Sequence, residues 1–375
     1  MSRVSSSSIP STTASTTASA GLAKVAAHIA DIEDPAAWDP AGLYGRRGTW
    51  ELTLTAGQSA QLRQAVTETA RRHGDWNDTR RDTSGPARWL PATAPLSAFF
   101  GRAEHALEGG PGIARLRNLP VSTDDKDVGY NENLLWAIGV RLGTPVNQMG
   151  GGKMLARLQD LRDPRRTRET KPEDTNDPLK HHTDGSDLLA LMCVRQARTG
   201  GNSFVASSAR TVREIARQYP ELLISLLEDY FAFTRNEEQP AGEDPFYLTR
   251  LCVILGTKIS TRYSREMIEE AQALPGAPRL TGRQRQLMDV FDKIAEEGGA
   301  EVDMTSGDLI IVNNYSVLHG RSTFTDSGDP GERRLLLRLW IAMRHGRPLP
   351  FDWDRGVNTD GHGRGSVPLK HPVAS

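Results

Sequence analysis

Apolar residues recur three and four apart over 209–228 and 282–297, the spacing of a helix with one packed face. In the second stretch Leu287, Val290, Phe291 and Ile294 fall on one side. In the first, Pro220 should break or restart the helix, because it lacks the amide hydrogen that the next turn needs. Two further stretches, 58–72 and 127–142, carry mixed polar and apolar faces and are predicted helices too. Short strand-like runs occupy 49–54, 113–117, 188–194, 204–207, 231–234, 248–255, 259–263, 302–304, 309–313 and 334–342. Many short strands bounded by Gly, Asp and Asn turns predict an antiparallel sandwich or barrel. The helices sit outside that pattern, so the expectation is a mostly β core with flanking α-helices.

Composition narrows the function classes. Of 375 residues, 37% are hydrophobic and 25% charged, and 46 Lys+Arg against 47 Asp+Glu leave a net charge of −1. Nucleic acid or an anionic membrane as main partner would call for a basic excess, so neither is expected. Cys193 and Cys252 are the only cysteines. Neither a disulfide framework nor a four-thiolate zinc site can be built, and both are predicted to be reduced core residues of a cytoplasmic protein. No stretch of about twenty apolar residues occurs, so no membrane-spanning helix is predicted. Residues 1–22 are rich in Ser, Thr and Ala and predict a disordered tail. Residues 354–375 predict an irregular one, in which His362 and His371 are solvated. One domain over 23–353 remains, with homo-oligomerisation left open. Within it, 160–180 holds twelve charged residues and three prolines among twenty-one, and reads as an active-site lid or a surface linker.

The candidate chemistry begins at His182-Thr183-Asp184. On a strand, residues two apart point to the same face, so an imidazole and a carboxylate could grip one ion there while Thr183 points away. A second such triplet, His73-Gly74-Asp75, ends a predicted helix and runs into polar sequence, which marks it as surface. The distal partner is His319, which the apolar strand launched by the Gly307-Asp308 turn is expected to deliver at its far end. Two histidines and one carboxylate leave three octahedral positions open, the arrangement that suits non-haem Fe(II) binding a co-substrate and oxygen together. Downstream, period two puts Arg334 and Arg338 on one strand face and Leu335, Leu337 and Leu339 on the other. Two arginines on one face of an apolar strand are costly unless each meets an anion, and a guanidinium suits a carboxylate. Salt bridges to surface acids are the alternative.

Taken together, HTDGS at 182–186, TGGNS at 199–203, NNYSVLHGR at 313–321 and RRLLLRLW at 333–340 resemble the taurine dioxygenase-like (TauD/TfdA) family. The resemblance covers about 142–350, with a looser LGTPVNQ entry at 142–148. It implies a double-stranded β-helix, a jelly-roll core of cupin type. It also implies an Fe(II)- and 2-oxoglutarate-dependent dioxygenase that oxidises a small molecule with O2, releasing succinate and CO2. By position, His182, Asp184 and His319 fall on the iron ligands. Arg334 falls on the arginine that binds the distal carboxylate of 2-oxoglutarate, and Ser203 where relatives carry a threonine for the same group. Arg338 and Gln148 fall on substrate-facing positions. Gln148 stands where taurine-specific members use a histidine, which puts taurine in doubt. The carboxylate of Asp184 favours oxygenation over halogenation, since halogenating relatives have a small residue there. Hydroxylation, desaturation and ring closure share their first steps and stay open, as do a non-catalytic metal-binding barrel and a zinc hydrolase.

Overall fold

The hydrophobic runs become two facing sheets. In the computed structural model the described residues are 13–74, 90, 93–148, 154–161, 175–235, 244–344, 346–347, 349–350 and 353. The larger sheet is built from β1 (Glu51–Thr53), β2 (Ile113–Arg117), β3 (Gly143–Val146), β4 (Leu155–Leu158), β6 (Leu188–Arg195), β14 (Leu309–Asn313) and β17 (Leu335–Met343). Its order is β1-β2-β14-β6-β17-β3, with β4 also paired to β17. All of these pairings are antiparallel except β1 with β2. The smaller sheet contains β5 (Leu179–His182), β8 (Ser203–Ser207), β13 (Gly299–Val302) and β15 (Val317–Arg321), in the order β13-β8-β15-β5. Three two-stranded ribbons complete the strands: β7 (Thr199–Gly200) with β16 (Phe324–Thr325), β9 (Phe231–Thr234) with β10 (Phe246–Thr249), and β11 (Cys252–Leu255) with β12 (Lys258–Thr261).

β14 is buried along its whole length between β2 and β6, which is why it reads as a continuous apolar run rather than an alternating one. Its entry is fixed by Asp308, whose carboxylate accepts from Arg115 Nη2 at 2.7 Å and from the Thr305 amide at 2.9 Å. Gly307, at φ 87°, makes the turn. Arg334 immediately precedes β17, within which Leu335, Leu337 and Leu339 alternate with Leu336, Arg338 and Trp340. The leucine face packs on the helix Val128–Leu142. There a Cβ at Gly139 would lie 2.3 Å from Leu339 Cδ2, so a larger residue would force the Leu339 side chain to shift. The opposite face of β17 looks toward the smaller sheet and carries the site.

Pro220 restarts the chain as expected: a helix Ser208–Gln218 ends at Tyr219, and Pro220–Leu222 then leads into Leu223–Leu227. The predicted strand at 248–255 is two strands, β10 and β11, with Arg250 and Leu251 between them. β3, β4, β5, β15 and the helix Ala94–Glu108 lie outside the predicted elements, and His319 is carried not by the strand from Gly307-Asp308, which ends at Asn313, but by β15 in the smaller sheet. A helix Thr13–Ala30 runs across the expected boundary at residue 22, and residues 1–12 lie outside the described residues. Alanine has the highest helix propensity and supplies much of that segment, and Ala26, Ile29 and Ala30 are buried at its C-terminal end. Residues 1–12, 162–174 and 354–375 lie outside the described residues, so most of the charged segment 160–180 does too. Both cysteines are free and buried, and burial pushes the Cys193 thiol up to about 12.

Candidate metal centre and co-substrate site

β5 and β15 run side by side, and the cross-strand register sets His182 opposite His319. Their rings lie 4.3 Å apart between centroids. β5 ends at His182, so the expected strand position for all of His182-Thr183-Asp184 is corrected: the chain leaves the ladder at Thr183. What turns it is Tyr263, whose carbonyl accepts from the Thr183 amide at 2.7 Å and whose amide donates to Thr183 Oγ1 at 3.1 Å. Arg262, itself buried, donates to the Thr183 carbonyl and hydroxyl. Thr183 thereby points away from the imidazoles, and Asp184 returns toward them. Its Oδ1 lies 3.8 Å from His182 Nε2 and its Oδ2 3.6 Å from His319 Nε2. One ligand atom from each of the three residues falls within 4.8 Å of the others, and no other group of three metal-capable side chains does so among the described residues.

Several features prepare these groups to hold a cation. His182 Nδ1 lies 2.8 Å from the Lys180 carbonyl, which fixes the tautomer with the proton on Nδ1 and leaves the Nε2 lone pair facing inward. Burial, then the nearby His319, bring His182 down to about 4, so its ring is neutral at pH 7. For Asp184, burial works to raise the pKa, but His319, Arg338 and His182 outweigh it and hold the carboxyl well below the usual carboxylate range. Of the second triplet, His73 ends the helix Ala56–His73, Gly74 caps it at φ 80°, and Asp75 lies outside the described residues.

Arg334, the residue before β17, is 4% exposed, yet its Nη1 has no hydrogen-bond partner among the described residues. Its guanidinium lies 5.0 Å over the Phe324 ring, and Arg321 lies 5.0 Å from the same ring. Burial, then Arg321, lower Arg334 to about 10, still a cation at neutral pH. Gly201, at φ 74°, passes so close that a Cβ there would sit 3.2 Å from Arg334 Nε. The TGG turn thus leaves beside the guanidinium a space that a side chain at position 201 would fill. Ser203 is buried nearby on β8, opposite Arg321, with its hydroxyl 3.7 Å from Met304 Sδ, a weak acceptor. Arg338 Nε donates to Gln148 Oε1 at 2.8 Å. Gln148 Nε2 donates in turn to the carbonyls of Arg338 at 2.9 Å and Met154 at 2.6 Å.

Three contributors escape a reading of the sequence. Trp340 Nε1 donates to Asp184 Oδ2 at 3.0 Å, and it does have a signal, since it follows Arg334 and Arg338 in the same period-two register. Asn314 Oδ1 accepts from the Asp184 amide at 3.1 Å, and Phe324 lies under Arg334. Neither has a signature along the chain.

A family model described as "Taurine catabolism dioxygenase TauD, TfdA family" matches residues 91–340. The chain belongs to this family. It is therefore an Fe(II)- and 2-oxoglutarate-dependent dioxygenase, with O2 as the oxidant and a small molecule as substrate. FR-33289 synthase of Streptomyces rubellomurinus is 29% identical over 310 residues, covering 80% of this chain and 87% of that protein. A uridine-5'-phosphate dioxygenase from a Streptomyces species is 29% identical over 203 residues, 48% of this chain and 70% of the other. Among solved structures, asparagine oxygenase in complex with Fe(II), 3-hydroxyasparagine and succinate has a TM-score of 0.63 at 17% identity. It covers 78% of this chain and 93% of that one. The non-haem iron oxygenase OrfP with Fe and alpha-ketoglutaric acid has a TM-score of 0.61 at 18% identity, with the same coverage. The likeness in fold matches the expected jelly roll. No helix among the described residues is long and apolar enough to cross a membrane.

Proposed function

We propose that His182, Asp184 and His319 hold the Fe(II), that Arg334 and Ser203 bind the distal carboxylate of 2-oxoglutarate, and that Arg338 receives an anionic group of the substrate. The observation that carries this reading is Arg334: a buried cation with an unpartnered nitrogen, beside a glycine turn, at the entry to the strand whose Trp340 bonds Asp184. A buried guanidinium calls for a carboxylate in its plane, and a fork of parallel N–H donors orients one with two oxygens at once. Fe(II) with 2-oxoglutarate and O2 supplies the oxidising power that hydroxylates an unactivated C–H bond as 2-oxoglutarate loses CO2 to give succinate. The protein's part is positional. Arg334 neutralises the far end of the co-substrate, while the His182 tautomer set by Lys180 keeps a lone pair available to the ion.

Gln148 enters this reading as the residue that aims Arg338. Its carboxamide already makes three hydrogen bonds within the protein, two of them to Arg338. Gln148→Leu is therefore expected to raise the KM for the primary substrate about tenfold, the worth of roughly one charge-assisted hydrogen bond. The KM for 2-oxoglutarate should stay unchanged. Equal rises in both constants would mean that the substitution loosens the whole site.

The substrate class this supports is a small metabolite bearing a carboxylate or another oxyanion, the chemistry that Arg338 would recognise. The relatives named above act on or carry the names of small polar molecules, which fits that class. The near-neutral net charge and two free buried cysteines support a cytoplasmic enzyme with no nucleic-acid partner, built as one oxygenase domain over 23–353. Anaerobic addition of Fe(II) and then 2-oxoglutarate tests the assignment. A visible metal-to-ligand charge-transfer band should grow in, and succinate should form once O2 and a carboxylate substrate are admitted. Metal uptake with no band and no succinate would reject it.

A further inference from the structure

Asp184 is held at two points. Its backbone amide is fixed by Asn314, which also donates to the Ser186 carbonyl at 2.9 Å, and its Oδ2 accepts the Trp340 indole N–H at 3.0 Å. The indole is itself clamped: it sits in the middle of β17, paired to Val146 on one side and Leu189 on the other. The Arg338 guanidinium lies 5.5 Å over its ring, and Gln148 holds that guanidinium from behind. We infer that Trp340 is the positioning residue of the iron centre: its indole N–H occupies one oxygen of Asp184 and so leaves the carboxylate a single-oxygen donor to the ion. This rests on the reading of Asp184 as a ligand.

The residue type fits the task. A carboxylate can bind a metal through one oxygen or both, and binding through both would use a coordination position that 2-oxoglutarate and O2 need. The donor that prevents it must be rigid and must not compete for the metal. An indole N–H donates only, stays neutral and moves on two torsions, whereas a histidine could itself ligate and an arginine would set a charge beside the cation. The same contact ties the substrate side of the site to the metal side, since the face of Trp340 supports Arg338 while its edge restrains Asp184.

The test is Fe(II) affinity, measured by anaerobic calorimetry on the apo protein. Trp340→Phe keeps the ring under Arg338 and removes the donor, and it is expected to weaken Fe(II) binding about tenfold or more, the usual effect of losing such a partner. Trp353→Phe serves as control, because the Trp353 indole bonds the Arg250 carbonyl rather than the triad, and it should bind as wild type does. A change under threefold in Trp340→Phe, or an equal loss in the control, overturns the inference. Asp184→Ala separates the two levels: if it too binds Fe(II) normally, the ligand assignment itself fails. Wild-type protein carrying 15N at its seven tryptophans gives a reading that needs no variant. On addition of Zn(II), a diamagnetic occupant of the same donors, one indole N–H resonance should shift well beyond the rest. If none moves, Trp340 does not sense the metal and the inference is wrong.

Discussion

Replacing Arg334 with leucine should raise the KM for 2-oxoglutarate by about two orders of magnitude and, at the same time, raise the melting temperature of the cofactor-free protein. The first effect follows from the loss of a paired, charge-assisted contact, which contributes about 1.5–3 kcal/mol, and each 1.4 kcal/mol is a factor of ten. The second follows from what Arg334 lacks until the co-substrate arrives. It is 4% exposed, its Nη1 has no partner among the described residues, and burial and the second cation Arg321 outweigh what the Phe324 ring at 5.0 Å and the Asp326 carboxylate return to its charge. A ring face returns only about 0.5–2 kcal/mol to a cation, less than the desolvation of a buried charge costs. An apolar side chain of similar reach removes that cost. Arg334→Lys should fall between, keeping the charge and losing the fork. Steady-state succinate release over a range of 2-oxoglutarate gives the first quantity, and thermal denaturation with and without 2-oxoglutarate gives the second. Wild type should be stabilised by the co-substrate and the leucine variant should not. An unchanged KM would move the anchor to Arg333 or Arg338.

Arg334 is legible in the amino-acid sequence because period two sets its register with Arg338. Period two survives folding wherever a strand is long and paired on both sides, as β17 is. Leu309–Asn313 is equally legible because its apolar run is uninterrupted up to Asn313. The unpredicted strands are of another kind. β5 reads Leu-Lys-His-His and β15 reads Val-Leu-His-Gly-Arg, so the candidate ligand histidines and their neighbours also erase the strand pattern. Tertiary pairing between the two, with His319 opposite His182, holds what local propensity would not. The helix Thr13–Ala30 departs from expectation in the opposite direction. Its Ser and Thr content reads as tail, while its alanines and the buried Ile29 favour a helix packed on Ser208–Gln218, where Arg213 Nε donates to the Ala30 carbonyl at 2.9 Å.

The candidate site divides in the same way. Metal-capable side chains stand out by type and spacing, since few residues do that chemistry. Their supports do not: Thr183 with Tyr263, Asp184 with Asn314 and Gln148 with Arg338 are 80, 130 and 190 positions apart. Gln148 matches a substrate-facing position by sequence, and only the fold reveals that its amide is already taken up by Arg338.

Substituting His182, Asp184 or His319 by alanine should each reduce turnover below detection and abolish the charge-transfer band, without unfolding the protein. The argument for folding comes first. His319 Nδ1 has no partner among the described residues, so His319→Ala forfeits packing but no hydrogen bond from that atom. His182→Ala also loses the bond to Lys180, about 1 kcal/mol, a tolerable fraction of domain stability. The loss of activity therefore reports ligation. Removing an outer partner already costs about 10–100-fold in metal affinity or activity, and removing a direct ligand from a three-ligand set should cost more than about 100-fold. The pH dependence has a definite sign. His182 is lowered to about 4 and Asp184 lies well below the carboxylate range, so at pH 7 both stand in the form that binds a cation. Protons compete with Fe(II) for His182 only as the pH falls toward 4, and Fe(II) affinity should be level with respect to that ring near neutrality. Anaerobic titration at several pH values, on wild type and each variant, checks both statements. Full turnover in any one alanine variant would remove that residue from the triad, and if the residue were Asp184 it would also remove the reason for an indole N–H to be aimed at its carboxylate.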